Sequence, residues 1–161
     1  GALPLGLETY CEIISVDLLQ KLDISPENLP RLMEQLSAPF PRGMEIVNIE
    51  PLKEKLSKHF PKAMVYRHTP ESIPADLMER FNAKALPVVK NHRGQEIDLN
   101  EHVLGIENRD GALFVKVKCN DQGCTASPFV IYAGLLGFEI DPAKLDEVSR
   151  RFLIAKVSME L

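Results

Sequence analysis

Two cysteines flank four residues in the run Cys119-Asn120-Asp121-Gln122-Gly123-Cys124. Paired thiolates at that spacing can ligate one metal ion, and Gly123 allows the tight loop such a site needs. A structural zinc site takes four ligands, however. The remaining cysteine, Cys11, is far away in the chain, and no second pair exists. The bland alternative is two small residues flanking a strand-to-helix turn, able to oxidise to a disulfide on handling. Cys119 and Cys124 are therefore weak metal candidates, and no metal is expected.

A second group is cationic. Lys90, His92 and Arg93 surround the tip of an expected hairpin, with Lys84 close by. Such a loop can hold a phosphate by charge and by backbone donors around Gly94. A solvated hairpin tip accounts for the same residues. Arg67 and His68 end one expected strand, and Arg150 and Arg151 begin another. They extend the same anion-binding patch if those strands are neighbours; otherwise they are ordinary strand-end charges. His59, His68, His92 and His102 lack the paired spacing of a histidine metal site. There is no Gly-x-Ser-x-Gly elbow and no phosphate-binding glycine loop. The carboxylates cannot be paired as acid and base without a fold. Tyr10, Phe81, Phe114, Phe129 and Phe138 read as core.

The elements that must position these groups are short, because twelve prolines punctuate 161 residues and proline neither rotates φ nor donates a backbone hydrogen bond. A strand is predicted over 8–19. A helix follows, with Leu29, Leu32, Met33 and Leu36 on one stripe. Its start lies near Pro26 or Pro30, after turn chemistry at Asp23–Pro26. Strands are predicted over 44–49 and 63–68, with short helices over 51–60 and 74–82, the second burying Leu77, Met78 and Phe81. Strands over 86–91 and 96–99 flank the basic tip. Asp110-Gly111 joins strands over 103–107 and 113–118 as a hairpin turn. Ser127-Pro128 opens an apolar helix that Gly137 stops. Asp141-Pro142 opens another, and 151–159 is the last strand. The pattern predicts an α+β fold with antiparallel sheet. Residues 1–60 and 61–161 read as two units, with one continuous domain as the alternative.

Composition narrows the function. Apolar residues at 45% and charged residues at 26% describe a globular chain. No apolar run approaches the roughly 20 residues of a membrane helix, and no secretory signal opens the sequence. A net charge of −4 argues against a generic polyanion binder but leaves room for a local basic patch. Three cysteines suit a reducing compartment better than a disulfide framework. A cytoplasmic protein with no membrane partner is expected.

Three segments together resemble the radical SAM-linked protein family of bacteria. They are Ala2-Leu3-Pro4-Leu5-Gly6-Leu7-Glu8 with the strand and helix through Pro41-Arg42-Gly43, the run Val88 to Leu99, and the apolar helix between Ser127-Pro128 and Gly137. Members occur beside, or fused behind, cobalamin-binding radical SAM proteins. The resemblance implies ferredoxin-like units and a further strand-helix-strand block before Glu8. The chain is then a piece of a longer protein whose first unit is truncated. It also implies that iron-sulfur cluster, S-adenosylmethionine and cobalamin belong to the partner. This chain has no triplet of closely spaced cysteines to hold a cluster. The expected function is a non-catalytic accessory or substrate-recognition domain of a radical SAM system, with RNA as substrate by analogy of fold. A metal- or thiol-dependent domain using Cys119 and Cys124, and a pure protein-interaction module, are the alternatives.

Overall fold

The computed structural model describes residues 7–9, 22–51, 61–91, 93–138 and 154–160. The chain divides into two compact units, residues 1–12 with 59–161, and residues 13–58. The smaller unit ends at residue 58. The short strand Leu7–Thr9 nevertheless pairs with the last strand of the chain, so it belongs to the larger unit.

The larger unit is built on an open sheet. Its strands are β1 (Leu7–Thr9), β2 (Ala63–His68), β5 (Val103–Arg109), β6 (Ala112–Asn120), β7 (Gly123–Cys124) and β8 (Ile154–Glu160). The order is β1-β8-β2-β6-β5, with β7 paired to the end of β6. Among the described residues, every pairing is antiparallel except β1 with β8. A separate hairpin joins β3 (Val88–Lys90) to β4 (Glu96–Asp98). Among the described residues, the unit also contains helices α2 (Leu77–Asn82), α3 (Leu99–His102) and α4 (Pro128–Leu136). The class is α+β, compatible with a ferredoxin-like arrangement.

Local chemistry explains the sharpest corners. Asp110 and Gly111 both take positive φ, 51° and 77°, the backbone of a hairpin turn that matches strand twist. Pro128 occupies the first turn of α4, and Gly137 closes it in the left-handed region at φ 76°. Ser127 sits at the cap position without a side-chain capping bond. The interior of α4 is apolar all round, and Pro128 through Leu135 are buried. A helix with no polar face must be covered on every side. The sheet supplies one cover through Leu113, Val115, Val117 and Ile154. Val89 of β3 and Leu99 of α3 supply another, pressed so close that a Cβ on Gly134 would lie 2.7 and 2.8 Å from them.

The smaller unit contains α1 (Leu29–Ser37), with Pro30 in its first turn. Asp23 builds the turn before it, accepting from the Ser25 amide at 3.0 Å. Leu29, Leu32 and Met33 are half-buried, whereas Leu36 is exposed.

Several expectations need correction. Residues 44–49 form no strand, and Val47 is 77% exposed, because no ladder pairs them among the described residues. Met78 points outward from α2, while Leu77 is buried and Phe81 packs on the core. Phe138 is 53% exposed, just past the glycine that ends α4. The single turn α3 has no signal in the sequence pattern, where 96–99 is expected to be strand. Asp98 caps it by accepting from the Asn100 amide at 2.9 Å. The strand at 10–19, the helices at 52–60 and from Asp141, and Tyr10 lie outside the described residues.

Candidate functional site

Register places the cationic residues. Directly opposed residues of antiparallel strands share a face. Arg67 of β2 opposes Phe114 of β6, Val65 opposes Lys116, and Ala63 opposes Lys118. On the other side of β6, Gly105 opposes Lys116, Glu107 opposes Phe114, and Arg109 opposes Ala112. The alternate residues, Tyr66, Leu113, Val115, Val117, Val103 and Ile106, are the core. One face of the sheet therefore packs on α4, and the opposite face carries Arg67, Arg109, Lys116 and Lys118 around Phe114, with Glu107 beside them. Arg67, Arg109 and Lys118 are exposed. The Arg109 guanidinium lies 5.2 Å from the Phe114 ring centre, held there by both oxygens of Glu107. Phe114 is thus not a core residue, as its apolar spacing had suggested. Position-by-position alternation along β6 was the signal available for it.

The basic hairpin is a separate feature. Lys90 ends β3 and Arg93 lies in the turn, both exposed. His92, Arg150 and Arg151 lie outside the described residues. The turn is organised by Asn91. Its side-chain oxygen accepts from the amides of Arg93 and Gln95 at 2.9 and 3.0 Å, and its carbonyl accepts from Gly94 at 2.9 Å. Those amides, expected to serve a phosphate, are already bonded inside the loop. Any anion held here is held by side-chain charge.

The cysteines meet on the core side of β6. Cys119 and Cys124 are register partners across β6 and β7, not the flanks of a strand-to-helix turn. Their sulfurs are 3.5 Å apart. The Tyr66 hydroxyl lies 3.1 Å from Cys124 Sγ and 3.3 Å from Met64 Sδ, and Cys124 Sγ is 3.5 Å from Met64 Sδ. Lys156 opposes Tyr66 in the ladder and is only 3% exposed. The base of the hairpin is pinned by Thr125, whose amide and hydroxyl both donate to Lys118 O at 3.0 Å. Its proton so used, the hydroxyl accepts from His102 Nδ1 at 2.8 Å.

The two thiols are unequal. Cys119 is buried and Cys124 half-buried. The Cys124 thiol is lowered to about 7, first by the Cys119 S–H, then by the Tyr66 hydroxyl and the Lys156 ammonium, against the cost of burial. The same bond, with burial, pushes Cys119 up. Met64, Tyr66 and Lys156 carry no recognisable sequence motif; only strand pairing brings them to the cysteines. Among the described residues, no group of three or more His, Cys, Asp or Glu side chains is placed to hold a metal.

These features define an α+β domain with one sealed sheet face, one cationic face and a thiol pair of which one member is buried and the other half-buried. The chain belongs to a bacterial family described as "uncharacterized protein conserved in bacteria (DUF2344)", whose model matches residues 1–127. No curated protein and no solved structure matches the chain. Among the described residues, no helix is long and apolar enough to cross a membrane.

Proposed function

We propose that this chain is a non-catalytic recognition domain that works beside a radical SAM enzyme in the cytoplasm and presents RNA to it. The observation that carries the RNA reading is the clustering of Arg67, Arg109, Lys116 and Lys118 around Phe114 on the sheet face opposite the core. Single-stranded RNA is held by cations along its backbone and by bases stacked on aromatic rings or guanidinium planes. The Arg109–Phe114 pair offers such a plane, and the flanking lysines and Arg67 offer backbone contacts. Lys90, Arg93 and His92 at the hairpin, with Arg150 and Arg151, are the further contacts in this reading. The radical SAM context is supported by the motif resemblance. In it, the cluster, S-adenosylmethionine and cobalamin stay with the partner, since three cysteines so placed cannot hold a cluster of that type here.

The test is a salt titration of binding to a tRNA pool. Arg67→Ala with Lys118→Ala is expected to weaken binding and to flatten the log–log salt slope by about one unit per lost contact. Phe114→Ala is expected to cost about 1–3 kcal/mol per stacked base with little change in slope. Lys90→Ala with Arg93→Ala measures the hairpin separately. No binding by the wild-type chain at low salt rejects the RNA reading.

A further inference from the structure

The sulfur cluster lies on the opposite side of the sheet from the cationic face. We propose that Cys124 and Cys119 form a dithiol–disulfide exchange site, in which Cys124 attacks the disulfide of a low-molecular-weight thiol compound and Cys119 resolves the product. The geometry carries this. The two residues are direct partners across a two-residue turn, so the backbone already holds them together. Their sulfurs, 3.5 Å apart, need only approach to the bonded distance of about 2.04 Å. The residues also differ in access: Cys119 is 9% exposed, while Cys124 is half-buried. An accessible nucleophile beside a sheltered partner is the division of labour that thiol exchange requires.

The neighbours prepare Cys124 rather than Cys119. The Tyr66 hydroxyl reaches Cys124 Sγ, and the Lys156 ammonium is buried on the same side of the sheet. Both favour a Cys124 thiolate, as does the Cys119 thiol 3.5 Å away. The first step forms a bond between Cys124 Sγ and one sulfur of RS–SR and releases RS⁻. In the second, Cys119 Sγ attacks Cys124 Sγ. The mixed disulfide breaks, and the Cys119 proton leaves with the second thiol as RSH. Two electrons pass from the pair to the substrate, which ends as RS⁻ and RSH, and the pair ends as a disulfide. Capping Cys124 also removes the anion that held the Cys119 proton, so the resolving thiol is freed by the step that requires it. Returning the pair to its dithiol state needs an external dithiol.

The experiment uses the full chain with Cys11→Ser, reduced and then equilibrated in glutathione/glutathione disulfide mixtures. Alkylation and peptide mass spectrometry read the thiols. Cys119 and Cys124 are expected to disappear together as one intramolecular disulfide, which dithiothreitol reverses. In Cys119→Ser, one glutathione should stay trapped on Cys124. At pH 7, Cys124 in that variant should alkylate at least about tenfold faster than Cys119 does in Cys124→Ser. Tyr66→Phe should move the alkylation midpoint upward from about 7. Equal alkylation rates, or glutathione on neither cysteine, overturn the proposal. So does a stoichiometric soft metal ion that blocks alkylation until chelated, since Met64 Sδ offers a third sulfur donor and the cluster would then be a metal site. If a serine variant fails to fold, the glutathione titration of both native thiols decides alone, and separate rather than joint loss overturns it.

Discussion

Tyr132 shows how one side chain can tie the helix to the sheet. It is fully buried in α4, and its hydroxyl lies 2.8 Å from the carbonyls of both Tyr66 and Leu113, on neighbouring strands. Its ring meets His68 edge-on, with centroids 5.4 Å apart. Tyr132→Phe keeps the ring and deletes only the donor. It is expected to cost about 1–3 kcal/mol, because buried carbonyls lose a partner. Urea unfolding should show a lower midpoint at unchanged slope. The same residue sets an alkaline limit. Burial raises its phenol well above the usual 10.0, so the unfolded chain ionises first. The associated stability is complete below pH 10 and falls as pH rises beyond it. Wild-type stability should therefore drop along that limb while Tyr132→Phe stays flatter; parallel limbs would mean that another group governs alkaline unfolding.

At the scale of elements, the contact between α4 and the β3–β4 hairpin depends on Gly134. In an isolated helix, Gly134→Ala would gain about 1 kcal/mol of propensity. Here the new methyl meets Val89 Cγ1 at 2.7 Å and Leu99 Cδ1 at 2.8 Å. Leu99 is fully buried, and a valine has few rotamers to escape into. Overpacking of this kind costs about 1–3 kcal/mol, so the clash outweighs the propensity. Gly134→Ala is expected to lower the melting temperature. Adding Val89→Ala should restore part of the loss, because it removes one of the two close contacts and leaves that with Leu99. A stabilised single variant would show that the hairpin can lift away freely.

The whole molecule has to manage a sheet edge. β5 has β6 as its one partner among the described residues. An uncovered edge invites pairing with another chain. Two features blunt it: the register shifts between Val103 and Gly105, and exposed Glu107 and Arg109 pair with each other along the strand. Replacing both with uncharged β-formers, Glu107→Val with Arg109→Thr, is expected to shift sedimentation toward concentration-dependent association relative to wild type. An unchanged profile would assign the protection to the bulge alone. The same substitution removes the guanidinium over Phe114, so it should also weaken binding in the tRNA titration.

Local signals in the chain were enough for the elements whose causes are local. Asp110-Gly111 dictates a turn because both residues accept positive φ, and β2, α4 and the hairpin around Gly94 follow from apolar runs bounded by proline and glycine. The composition and the spacing of the cysteines were equally plain. Partnership was not. Residues 44–49 have the apolar character of a strand, but a strand exists only where a ladder receives it. Phe114 and Val115 are adjacent and both apolar, and it is their opposite sides of the sheet that make one part of the cationic face and the other core. Cys119 and Cys124 announced a pair by spacing alone, whereas Met64, Tyr66 and Lys156 joined them through pairings between β2, β6 and β8 that span most of the larger unit. A thiol's acidity depends on the charges and donors within a few ångströms, and those distances are set by tertiary pairing.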